Sequence, residues 1–127
     1  MILLFVDDRS ERAALAYHRM SPDHQDRTIW CKAISEAIST IYDYKDEIEC
    51  VMIEHDFGGN FQNSKSDKSG HELVRWLERL SKVEPEVFEK LKKVNFVIHT
   101  WNITAGKKML DRMIKLDLNV KFHPFGS

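Results

Sequence analysis

The chain reads as a single three-layer doubly wound α/β domain: a parallel five-stranded sheet of order 2-1-3-4-5 with helices on both faces. Three observations predict it. Residues 2–6, 49–53 and 95–99 hold short, continuous apolar runs, the pattern of strands covered on both sides. Helical stripes alternate with these runs, as right-handed crossovers between parallel strands require. Each run also stops in polar, ligand-capable residues: Asp7-Asp8 after the first, Glu54-His55-Asp56 and then Gly58-Gly59 after the second, and His99-Thr100-Trp101-Asn102 after the third. Burying an acid-His-acid triplet inside a sheet would cost several kcal/mol per unpaired charge. Such ends therefore belong at the carboxyl edge of a sheet, where open α/β folds place their ligands.

Taken in order, residues 2–6 form the first strand, and Ala13, Ala14 and Ala16 allow a short helix that Ser21-Pro22-Asp23 closes. Residues 27–31 form a second strand, with Ile29 on one side and Thr28 and Trp30 on the other. From Lys32 the period becomes helical, with Ala33, Ile34, Ala37, Ile38 and Ile41 in one stripe. Residues 49–53 are the central strand, and 59–68 a polar loop anchored only by Phe61, of the length expected of a lid or binding loop. Ser69 and Glu72 have capping-box spacing and open a helix striped by Leu73, Trp76, Leu77 and Leu80. Pro85 suits the first turn of a short helix that turns Val87, Phe88 and Leu91 inward and Lys90, Lys92 and Lys93 outward. A strand over 95–99, a helix over 105–116 striped by Met109, Leu110, Met113 and Ile114, and a strand over 119–122 complete the chain. With no repeat or linker, one domain spans residues 1–127.

Composition narrows the function. Hydrophobic residues make up 43% and charged residues 31%, an ordinary globular balance. That length suffices to bury roughly two-thirds of the unfolded surface. A formal net charge of −1 gives no global field toward nucleic acid or an anionic membrane, which leaves only local basic patches. Cys31 and Cys50 are too few for a disulfide scaffold and fit no metal spacing, so they read as reduced, buried thiols. No apolar run approaches the roughly 20 residues of a membrane span. A first strand starting beside Met1 leaves no room for a signal peptide, and a cytoplasmic protein is expected.

Asp7 and Asp8 are paired carboxylates just past a strand, and such a pair repels unless a cation lies between them; Mg²⁺ takes one or two carboxylates plus waters. Asp56 reaches the same sheet edge, so Asp7, Asp8 and Asp56 are the candidate ligands of Mg²⁺ or another divalent cation. The bland alternative makes Asp8 a helix cap in a solvated loop. His99, followed by Thr100 and Asn102, supplies a proton carrier, a hydroxyl and an amide suited to phosphoryl oxygens. His55 stands beside a glycine break at the same edge. His18, His24 and His71 have no such setting and read as surface residues. Trp30, Trp76 and Met109 read as core.

Val6-Asp7-Asp8, the acid ending the third strand, the Thr ending the fourth, and His123-Pro124 after the fifth resemble the receiver domain of two-component signalling. Glu54 stands at the phosphoacceptor Asp position and His123 at the lysine, so a working phosphorelay receiver is not expected. By analogy with receivers the His123–Pro124 bond would be cis. Glu54-His55-Asp56-Phe57-Gly58, Ser69-Gly70 with Trp76-Leu77, and Ile98-His99-Thr100-Trp101-Asn102 are more closely similar to the cyclic-phosphate processing receiver-like family. It differs here in Glu54 for the family's first Asp, in Arg9 one place early, and in Ala105 where glycine is common.

This second resemblance implies handling or hydrolysis of cyclic phosphates, on RNA 2′,3′-cyclic phosphate ends or cyclic nucleotides. His55, His99, Thr100 and Asn102 would be the catalytic residues, with the cation on Asp7, Asp8 and Asp56. Water attack on such a phosphate needs a base, an acid and charge neutralisation, and these residues offer all three; Arg9 is an alternative source of the neutralising charge. Two other readings stay open: a module that binds a nucleotide or phosphorylated small molecule without turnover, and a degenerate receiver acting by protein contact.

Overall fold

The computed structural model describes residues 2–7, 22–25, 27–54, 70–100 and 103–124. Five strands, β1 (Ile2–Val6), β2 (Thr28–Cys31), β3 (Ile48–Glu54), β4 (Asn95–Thr100) and β5 (Asn119–Pro124), form one parallel sheet in the order β2-β1-β3-β4-β5. The predicted order is thus the observed one. The two most continuously apolar runs, β1 and β3, lie inside the sheet, while β2 and β5 take its edges.

Among the described residues five helices accompany the sheet: α1 (Pro22–Gln25), α2 (Ile34–Asp43), α3 (Gly70–Val83), α4 (Pro85–Leu91) and α5 (Ile103–Lys115). α2, α3 and α5 touch in that sequence and form one layer over a single face of the sheet. Strand alternation sends Leu4, Val6, Val51, Ile53, Phe96 and Ile98 into that layer, where all six are buried. Each such side chain stabilises the fold by roughly 1.5–3 kcal/mol relative to an exposed one. Gly70 opens α3 against this face: a Cβ there would lie 2.8 Å from Met109 Cε and 3.5 Å from Ile53 Cγ2.

The helical stripes hold with local corrections. In α3 the buried residues are Gly70, Leu73, Val74, Leu77 and Leu80, and Trp76, predicted within the stripe, is only half-buried at its margin. In α5 the stripe is Gly106, Met109 and Met113. Ile114, predicted to face inward, is 55% exposed. At 100° per residue it falls about 80° from Gly106, on a flank that no described element covers. Pro85 occupies the first turn of α4 as expected. Cys31 is buried and Cys50 half-buried, both free, and burial pushes both thiols up.

Pro22–Gln25, which overlaps the Ser21-Pro22-Asp23 stop, forms one helical turn. His71, predicted at the surface, is half-buried, with Nδ1 3.5 Å from Arg112 Nη1. No cis peptide bond occurs among the described residues, so the cis bond suggested at His123–Pro124 is not found. The helix read around Ala13, Ala14 and Ala16, the 59–68 loop and the Ser69 cap lie outside the described residues.

Candidate functional site

The strand register brings the polar strand ends into one line. Cys31 pairs with Val6, Val6 with Ile53, Ile53 with Ile98, and Ile98 with Phe122, so one row of apolar residues crosses all five strands. The next row toward the carboxyl edge is ionisable throughout: Lys32, Asp7, Glu54, His99 and His123. Glu54 pairs with His99 and His99 with His123 in the ladder. Asp7 and Lys32 follow directly on the Val6–Cys31 pair. In a parallel sheet the residues of one row share a face. This row shares its face with Phe5, Met52, Val97 and Lys121, opposite the layer of α2, α3 and α5.

Two hydrogen bonds fix the β1 end of the row. The Asp7 backbone N–H donates to the Cys31 carbonyl at 3.1 Å, and the Trp30 indole N–H donates to the Asp7 carbonyl at 2.6 Å. Asp7 is 1% exposed and is the single buried charged residue among those described. A carboxylate so enclosed depends on fixed neighbours rather than on solvent for its stabilisation. Trp30 is itself half-buried, with the Lys32 ammonium 5.0 Å from its ring centroid. Its role is to hold the end of β1 from the neighbouring strand. His99 is half-buried and His123 exposed.

Of the predicted site residues, the structure places Asp7 and His99 in the row, with Thr100 one residue on as the last-but-none of β4. Asp8, His55, Asp56 and Asn102 lie outside the described residues, as do the side chains of Thr100 and Glu54. Reading runs one at a time left Lys32 and His123 out of the site. Lys32 looked like the start of a helix, and His123 looked like a substituted receiver lysine. The cross-strand register sets His123 level with His99, and Lys32 directly follows Cys31, the last paired residue of β2. Among the described residues no cluster of three or more His, Cys, Asp or Glu forms a ready metal site.

The family model for the cyclic-phosphate processing receiver domain matches residues 2–115, from the first strand through α5. The chain belongs to that family. The match spans both the Asp7-Asp8 block and the Ile98–Asn102 block. The crystal structure of the signal receiver domain of a putative Luxo repressor protein from Vibrio parahaemolyticus is similar at a TM-score of 0.62, with 15% identity over 98% of this chain and 78% of that one. At that identity the likeness shows the receiver fold alone. Comparison with curated proteins finds no match. No helix among the described residues of this cyclic-phosphate processing receiver domain is long and apolar enough to cross a membrane.

Proposed function

We propose that the protein is a phosphoesterase that opens 2′,3′-cyclic phosphates, with the ionisable row at the carboxyl edge as its site. The observation that supports this most is the register of Glu54, His99 and His123 beside the buried Asp7. It sets a proton carrier and a carboxylate along one edge, within the span of a single phosphate group and its ribose. Adjacent strands lie about 4.8 Å apart, so His99 and His123 stand side by side and can face the same bound group.

In this reading water attacks phosphorus while a base takes its proton. The bond to one ribose oxygen breaks, and an acid delivers a proton to that oxygen, leaving a phosphomonoester. His99 performs one of the proton transfers, and His55, from the end of β3, the other. The Thr100 hydroxyl and Asn102 amide orient the phosphoryl oxygens. Asp7 fits a hard cation by its donor type and its burial. With Asp8 and Asp56 it would hold Mg²⁺ or a similar ion, which when bound neutralises charge on the phosphoryl oxygens. Incubating purified protein and Mg²⁺ with RNA ending in a 2′,3′-cyclic phosphate, and with 2′,3′-cyclic mononucleotides, tests the proposal. A phosphomonoester product is expected, and saturable binding without product would replace the phosphoesterase with a binding module.

A further inference from the structure

From the edge strand β5 we infer that Lys121 is a specificity residue that holds the phosphodiester next to the reacting end, so the preferred ligand is a single-stranded oligoribonucleotide rather than a mononucleotide. The inference rests on the phosphoesterase site proposed above and extends it.

Lys121 pairs with Val97 in the ladder, two rows behind the pair of His99 and His123 and therefore on the same face of the sheet. One strand over and two residues back from His99 corresponds to a Cα separation of about 8 Å, which the lysine stem spans in part. The face around it is open. Asn95, Asn119, Lys121 and His123 are exposed and Val97 is half-buried between them, while Val120 and Phe122 turn the other way and pack on the core.

Charge selects the occupant of this face. Neither β4 nor β5 contains a carboxylate. Lys90 is held by Asp46 at 2.9 Å and Lys92 by Glu89 at 2.9 Å, but Lys121 has no ion-pair partner among the described residues. A chain of net charge −1 therefore keeps an uncompensated cation beside its phosphate site, which is the local arrangement that favours a polyanion. The Asn119 side-chain amide Nδ2 donates to Asn95 Oδ1 at 2.6 Å, which ties the two strands together at the far end of the same face. A cyclic phosphate that terminates an RNA carries its next phosphodiester one nucleotide away. A mononucleotide has none for Lys121 to meet. A lysine on an edge strand also discourages strand-to-strand aggregation, but that role does not distinguish one ligand from another.

The test is fluorescence anisotropy with a 5′-labelled pentaribonucleotide ending in a 3′-phosphate, with the mononucleotide 3′-phosphate as competitor. Wild type, Lys121→Gln, Lys121→Arg and, as a control, Lys93→Gln are compared after circular dichroism has verified folding. The pentamer is expected to bind wild type at least about tenfold more tightly than the mononucleotide. Lys121→Gln should lower pentamer affinity at least about tenfold, a charge-assisted contact's worth. It should also reduce the salt slope by about 0.7 and leave mononucleotide affinity unchanged. Lys121→Arg restores binding, and Lys93→Gln leaves it unaltered. Equal affinity for pentamer and mononucleotide, or wild-type affinity and salt slope in Lys121→Gln, overturns the inference. Lys121-dependent pentamer binding without cleavage of any cyclic phosphate leaves it standing and removes the phosphoesterase instead.

Discussion

The Trp30 indole N–H donates to the Asp7 carbonyl oxygen at 2.6 Å, so a side chain on the edge strand β2 fixes the point where β1 ends and the ionisable row begins. With Asp7 only 1% exposed, solvent cannot take over that bond. Trp30→Phe keeps most of the apolar area and removes the donor. It should cost about 1–3 kcal/mol in urea unfolding, the range for a buried acceptor left without its donor. It should also lower phosphoesterase turnover several-fold, because Asp7 loses its fixed position. Reduced stability with wild-type turnover would separate Trp30 from the site.

A second prediction concerns the seam between α3 and α5. Arg112 grips Glu78 with two donors, Nε to Oε2 at 3.0 Å and Nη2 to Oε1. The Arg112 hydrogen bond holds the Glu78 carboxyl below its usual range. A lowered folded value means that the stabilisation is complete above the unfolded carboxyl's titration and is lost as pH falls from there through the lower folded value. The pair is about one-third exposed, so screening limits its worth. Glu78→Gln should destabilise by about 0.5–1 kcal/mol at neutral pH. The gap should close as the pH drops below about 4. A gap that persists at low pH would assign the effect to packing.

Gly70 and Met109 are predicted to be coupled. A Cβ on residue 70 would lie 2.8 Å from Met109 Cε and 3.2 Å from Sδ. Met109 is fully buried, so its flexible end has little space into which to retreat. Gly70→Ala should cost about 1 kcal/mol despite alanine's higher helix propensity. In a Met109→Ala background the same change should cost less, by about 0.5 kcal/mol or more in a double-mutant cycle. Additive effects would show that the contact is not tight.

Much of the fold was legible because apolar continuity separates the inner strands β1 and β3 from the edges, and because helical stripes fall at i, i+3, i+4 and i+7. The errors came at stripe margins. Ile114 is apolar, but it sits on the flank of a helix at the sheet's edge, where no described element covers it; Trp76 is likewise only half-covered. The site was legible where strands end in chemistry, at Asp7 and His99. Lys32 and His123 escaped notice because their significance lies across strands rather than along the chain. Lys32 opens a turn and His123 precedes a proline, and neither context marks a site until the ladder pairs His123 with His99 and ends on Cys31 just before Lys32.

The central claim is tested most directly by His99→Ala, assayed on RNA ending in a 2′,3′-cyclic phosphate. General acid-base catalysis typically contributes 10²-fold or more. His99→Ala should therefore lower kcat by at least about 10²-fold, and Thr100→Ala by less, since a hydroxyl that orients a phosphoryl oxygen transfers no proton. Both variants should remain folded, because each residue lies at the carboxyl end of β4 and His99 is outside the buried core. Full activity in His99→Ala, on a substrate the wild type cleaves, would contradict the account and remove the ionisable row from the chemistry.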